Sequence, residues 1–172
     1  LENGIEPFVT MYHWDLPQAL QARGGWLNKA TSRAFGDYAA LLVREYTDKV
    51  RFWMPMNEMP IMAVAGHEIG NHAPGLKCTP KQVNQVMHNL MYAHGLGIQA
   101  VRAHGGRDDE AGVAQPCSFR PNTGAKRDYL AAKKAFHHDH WFGAWWWGPM
   151  LEGAYPADLW RAQGRNVPLI TD

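Results

Sequence analysis

Cysteine is nearly absent from this sequence: Cys78 and Cys117 are its only two. They are too few and too separated to build a disulfide framework, so a reducing, cytoplasmic setting is expected. Long apolar runs are missing as well. No segment approaches the eighteen or more apolar residues of a membrane span, and no membrane partner is expected. Neither sign of charge dominates, for 17 Lys and Arg against 16 Asp and Glu leave a net charge of +1. That balance gives no reason to expect nucleic acid or an anionic lipid surface. Low-complexity segments and clear internal repeats are lacking too. Leu1-Glu2-Asn3-Gly4 has neither an initiator Met nor the basic flank and apolar stretch of a signal peptide. Ile170-Thr171-Asp172 stops as abruptly, so the chain reads as one entered and left in mid-fold.

What the sequence does hold is apolar and aromatic. A hydrophobic content of 46% and a charged content of 19% are globular values, and 172 residues suffice for one domain with a sizeable core. Eight tryptophans are many for that length, and clustered Trp suits either a core or the C–H faces of sugars.

Trp53-Met54-Pro55-Met56-Asn57-Glu58-Met59 is the stretch around which the chain is arranged. It follows Lys49-Val50-Arg51-Phe52, a run that predicts a strand with an Asn-Glu pair at its end. A carboxyl among Trp, Phe and Met is in a desolvating setting of the kind a general acid near neutral pH requires. Gly4 to Tyr12 predicts an earlier buried strand that leads into His13-Trp14-Asp15. Leu16 to Ala22 predicts a short helical turn closed by Gly24-Gly25. Thr31-Ser32 is the expected cap of a helix whose stripe of Phe35, Tyr38, Ala39, Leu42 and Tyr46 reads as core. A loop rich in Gly and His is expected from Gly66 to Gly75. Thr79-Pro80-Lys81-Gln82 places Thr as N-cap, Pro at the first helical position and Gln at the third, predicting a helix that runs to Val101. Ala111 to Ala114 predicts a third strand, and 125–140 a further helix. Strands alternating with such helices predict βαβ units, with parallel strands near 6–13, 49–57 and 111–115 adjacent in that order.

These residues resemble family 1 glycoside hydrolases, the β-glucosidases and their relatives, which are (β/α)₈ barrels. The first match is Pro7-Phe8-Val9-Thr10-Met11-Tyr12-His13-Trp14-Asp15-Leu16-Pro17-Gln18-Ala19-Leu20, followed by Gly24-Gly25-Trp26 and Asn28. The second runs from Trp53 to Asn57-Glu58, then Gly66, Gly70, His72 and Ala73-Pro74-Gly75. A weaker third comprises Trp141-Phe142, Pro149, Gly153 and Tyr155-Pro156.

The resemblance implies an α/β fold in which residues 1–172 form a single partial barrel domain, roughly the third to fifth βα units. It implies a retaining β-glycosidase of β-glucosidase type acting on terminal β-linked sugars, with no cofactor. Glu58 would be the general acid/base, Asn57 would bond the sugar 2-hydroxyl, His13 would bond hydroxyls of the same sugar, and Trp14 would support that shell. The barrel places such residues at the C-terminal ends of its strands. The family's nucleophile is a Glu in Ile-Thr-Glu-Asn-Gly on a late strand; Ile170-Thr171-Asp172 matches only its first residues and follows Tyr155-Pro156 too closely, so the nucleophile is expected outside this chain. Beside the carbohydrate substrate, self-association or a complementary barrel segment is the expected partner. The rival reading is a catalytically inactive partial barrel that binds carbohydrate or another chain.

Departures from the family pattern are specific. Pro55 stands where Thr is usual and Met59 where Pro is usual; a Pro in a central strand loses a ladder bond or forces a bulge. His67 replaces an aromatic, and Trp145-Trp146-Trp147-Gly148 reads as an insertion, serving as packing or as an aromatic lip. His137-His138-Asp139-His140 offers metal-ligand types, but on a helix 137 and 140 share a face while 138 does not. It is read as a solvated helix end, and no metal site is expected. Asp15 is read as a structural hydrogen-bonding group, and Cys78 and Cys117 as inert.

Overall fold

The computed structural model of the chain describes residues 1–116 and 119–171, so Cys117 and Asp172 lie outside the described residues. Three parallel strands lie side by side in sequence order: β1 (Phe8–Tyr12), β2 (Phe52–Met56) and β3 (Glu110–Ala111). Phe8 stands opposite Phe52, Tyr12 opposite Met56, and Phe52 opposite Glu110. The predicted order and direction are those found.

Helices make every crossover. Between β1 and β2 come α1 (Gln18–Gln21), a 3₁₀ turn at Gly25–Leu27, and α2 (Lys29–Tyr46). Between β2 and β3 come α3 (Met59–Ala63), a π-helical turn at Val64–Ile69, and α4 (Pro80–His104). After β3 follow α5 (Lys126–His138), α6 (Ala144–Glu152) and α7 (Ala157–Gln163). α2 and α4 pack on each other, and α4 also packs on β2. Their seam holds the core: Ala39 and Val43 from α2, Val86, Met87 and Leu90 from α4, and Trp53 and Met56 from β2.

α4 starts as its sequence predicts. Thr79 and Gln82 form a complete capping box, with Pro80 at the first helical position. α2 does not. Asn28 is its cap, its side chain accepting from the Ala30 N–H at 3.0 Å. Asn caps at least as well as Thr or Ser, and here both hydroxyls are used elsewhere. Thr31 Oγ1 donates to the Gly25 carbonyl and Ser32 Oγ to the Asn89 carbonyl, each at 2.7 Å and buried. The stripe on α2 also shifts. Phe35, Ala39 and Val43 face the core, while Tyr38 and Tyr46 are exposed. The i, i+4, i+8 row wins because α4 lies along it.

Gly66 and His67 belong to the buried π-helical turn, so the expected loop begins only at Gly70. His67 Nδ1 lies 3.3 Å from the Met62 carbonyl, and burial pushes its imidazole pKa down. Trp145 and Trp146 are packing residues, fully buried in α6; the Trp145 ring lies 4.5 Å from that of Tyr155.

Candidate active site

β1 and β2 end at the same edge of the sheet, and the two sequence motifs emerge there together. The chain leaves β1 through His13-Trp14 and β2 through Asn57-Glu58. The Asn57 N–H donates to the Tyr12 carbonyl at 3.1 Å, and the Glu58 N–H donates to the Ala114 carbonyl at 2.6 Å. The end of β2 is therefore tied to a neighbour on each side.

Side chains complete the link. Asn57 Nδ2 lies 3.2 Å from His13 Nε2. An amide nitrogen can only donate, so Nε2 accepts and the His13 ring carries its proton on Nδ1. Trp14 Nε1 donates to the Asn57 carbonyl at 3.0 Å, and the Trp14 ring lies 5.5 Å from that of His72. Beneath them, Tyr12 accepts from Trp26 Nε1 at 3.0 Å, and burial raises the Tyr12 phenol to about 12. Asn89 Nδ2 donates to the Trp26 carbonyl at 2.8 Å, which fixes the Gly24-Gly25-Trp26 turn to α4.

The backbone is strained at two of these positions. Trp14 (φ 80) and Glu58 (φ 42) are the non-glycine residues with positive φ among the described residues. Such a conformation costs about 1–3 kcal/mol and persists only where surrounding contacts enforce it. For Glu58 those contacts are the Ala114 carbonyl before it and α3 after it.

Pro55 sets the path into Glu58. From Trp53↔Ala111 to Asn57↔Ala114, β2 advances four residues while its neighbour advances three. On the other side, Phe8↔Phe52 to Tyr12↔Met56 is four against four. β2 thus carries a bulge toward β3, at the residue that has no N–H to give. The bulge is held from behind. α4 approaches so closely at Gly97 that a Cβ there would lie 2.6 Å from Pro55 Cβ.

Glu58 is half-buried, and its carboxyl makes no side-chain cap to α3. Among the described residues the carboxyl group itself has no ion pair or hydrogen-bond partner. Met59 and Pro60 open α3, and Pro is accommodated there because first-turn N–H groups have no helical partner. Asp15 is exposed and accepts weakly from the His13 N–H at 3.4 Å, a local structural contact.

Other groups lie apart from this edge. A cavity of about 860 Å³ opens between α4 and the α6–α7 segment, walled by His88, Met91, His94, Met150, Tyr155 and Trp160. His13, Asn57 and Glu58 do not line it. Asp109 was silent in the sequence. It accepts from Thr47 Oγ1 at 2.8 Å and Trp53 Nε1 at 3.2 Å, clasping the opposite end of the sheet. Within His137-His138-Asp139-His140, the expected pairing of faces is corrected. His140 Nε2 contacts Asn84 Oδ1 at 2.9 Å, whereas His137 and His138 come together beside Asp158.

The sequence profile of Glycosyl hydrolase family 1 matches residues 1–172. Beta-glucosidase A of Acetivibrio thermocellus is 38% identical over 176 residues, spanning 100% of this chain and 38% of that protein. Beta-glucosidase 42 of Arabidopsis thaliana is 35% identical over 176 residues, spanning 99% of this chain and 35% of that protein. A family 1 β-glucosidase from Thermotoga maritima superposes with a TM-score of 0.80 at 33% identity, over 97% of this chain and 37% of that one. This chain spans little more than a third of the relatives it matches. Its parallel strands and outer helices are accordingly part of a (β/α)₈ barrel. The chain belongs to glycosyl hydrolase family 1.

Proposed function

We propose that this chain supplies the acid/base side of a retaining β-glucosidase site. Family membership supports the class of reaction; the observation that carries the site is the pair of strained residues, Trp14 and Glu58, flanking the His13–Asn57 contact. Strain of that kind clusters at functional sites.

In this reading the Glu58 carboxyl protonates the departing glycosidic oxygen, then as carboxylate takes a proton from the water that attacks the glycosyl-enzyme. Its lack of a partner leaves it free for both roles. Asn57 Nδ2 turns from His13 to the sugar 2-hydroxyl, a contact that strengthens in the transition state. His13 Nδ1–H is then the donor toward a neighbouring hydroxyl. Trp14 holds the Asn57 carbonyl and so fixes the amide's pivot. Retention requires a second carboxylate about 5–5.5 Å from the first, and that nucleophile is assigned to the portion of the relatives' length that these residues do not span.

Two preparations test the proposal: the 172 residues alone, and a barrel completed with the remaining length. With an aryl β-glucoside, the first should show little or no turnover. The second should release glucose first as the β-anomer, read by proton NMR. Robust turnover by the 172 residues alone, or release of the α-anomer by the completed barrel, would overturn it.

A further inference from the structure

The segment His137-His138-Asp139-His140 is only partly explained by packing. Asp139 Oδ1 accepts from the backbone N–H groups of Trp141 and Phe142, at 2.9 Å and 2.5 Å, and so ends α5. His140 is tied between Asn84 and Gln163. His137 and His138 remain, and both turn toward Asp158 in the first turn of α7.

We propose that His137, His138 and Asp158 form a site for a divalent transition cation, zinc in the first place, which clamps the end of α5 to the start of α7. Each residue offers one ligand atom, and the three atoms lie within 4.8 Å of one another. The His137 and His138 rings are 5.0 Å apart and almost perpendicular, at 85°, edge to face rather than stacked. A hydrogen bond alone accounts for only two of the three. His137 Nε2 and Asp158 Oδ2 are 2.7 Å apart, a pairing that leaves the placement of His138 without a purpose.

Two imidazoles and one carboxylate form the donor set of a borderline cation such as Zn²⁺; Mg²⁺ and Ca²⁺ prefer oxygen throughout. Zinc holds such ligands at about 2.0–2.2 Å in a tetrahedron, which separates neighbouring ligand atoms by about 3.3 Å. The ion would take the place of the proton between His137 and Asp158, opening that pair slightly while His138 closes in. Water would fill the fourth position, since His138 and Asp158 are exposed. The cation's role is structural: it joins the helices that precede and follow α6 in the chain.

Metal-stripped protein titrated with Zn²⁺, in competition with a chromophoric chelator, should bind one equivalent through this site, and Zn²⁺ should raise the melting temperature. Co²⁺ in the same protein should give a visible d–d band. Changing His137, His138 or Asp158 to Ala should weaken binding by more than the roughly 10–100-fold lost with an outer-shell partner, while His104→Ala should not. His138→Ala is the decisive variant, because it leaves the His137–Asp158 link intact. Absence of stoichiometric binding by the unaltered protein would overturn the proposal. So would zinc binding and a Co²⁺ band that survive His138→Ala.

Discussion

Asn57 Nδ2 lies 3.2 Å from His13 Nε2, a contact between residues that follow the C-terminal ends of two adjacent parallel strands. It joins the two motifs through their side chains, and it fixes the donor–acceptor sense of both groups. If both groups meet one sugar ring, their contributions to transition-state binding depend on each other. A double-mutant cycle of His13→Ala and Asn57→Ala on kcat/KM of the completed barrel should therefore give a coupling of about 0.5–3 kcal/mol. Strict additivity would mean that the contact is incidental to catalysis.

The bulge at Pro55 makes a paired prediction about α4. Gly97→Ala would put a methyl group 2.6 Å from Pro55 Cβ and 3.2 Å from the Phe35 ring. It should destabilise by about 1–3 kcal/mol, the cost of overpacking. Gly95 lies in the same helix, and a Cβ added there meets nothing within 4 Å. Gly95→Ala should stabilise by roughly 0.5–1 kcal/mol, the helix-interior gain over glycine. Urea unfolding of both variants checks the signs; equal effects would remove α4 as the backstop of the Pro55 bulge.

His94 should set part of the acid limb of stability. It is buried in the wall of the cavity beside α4, its Nδ1 has no hydrogen-bond partner among the described residues, and burial lowers its pKa to about 4. The unfolded chain takes up a proton near pH 6.5, whereas the folded chain resists until about pH 4. Stability from this group is full above pH 6.5 and is lost as pH falls toward 4, by about 3 kcal/mol in all. His94→Leu should flatten that stretch of the stability–pH curve. An unchanged slope between pH 6.5 and 4 would show that His94 does not carry it.

Strand order and the positions of His13 and Asn57 were legible because both motifs are contiguous and each runs off the end of its own strand. Pro55 carried its own warning, since a residue without an N–H cannot complete a ladder, and the one-residue slip toward β3 follows. What escaped was anything settled by partners distant in the chain. Thr31 and Ser32 have good capping side chains, but α4 passes close enough to use the Ser32 hydroxyl, so Asn28 caps instead. Tyr38 and Tyr46 fit the apolar period, yet α4 covers the neighbouring row. Asp109 is one acid among several in its segment until Thr47 and Trp53 close on it. His138 reads as off the face of an ideal helix, but α5 ends there and leaves it free to turn toward Asp158.

Trp14 is predicted to act through Asn57. Trp14→Phe keeps the ring and removes the Nε1 donor to the Asn57 carbonyl. The lost hydrogen bond itself should cost about 1 kcal/mol of stability, and the loosened Asn57 should add a several-fold fall in kcat/KM. A variant that loses stability while kcat/KM holds would make Trp14 a packing residue.

The central claim is that Glu58 gives and takes the proton, and Glu58→Gln in the completed barrel tests it most directly. Removing general acid/base help should cost roughly 10²–10⁴-fold on β-glucosides with poor leaving groups. Glycosylation by aryl glucosides with good leaving groups should suffer least, because they leave with little protonation. Deglycosylation still lacks its base, so azide, which attacks the glycosyl-enzyme without one, should restore part of the rate and yield β-glucosyl azide. Undiminished turnover of poor leaving groups by the Glu58→Gln enzyme would contradict the account.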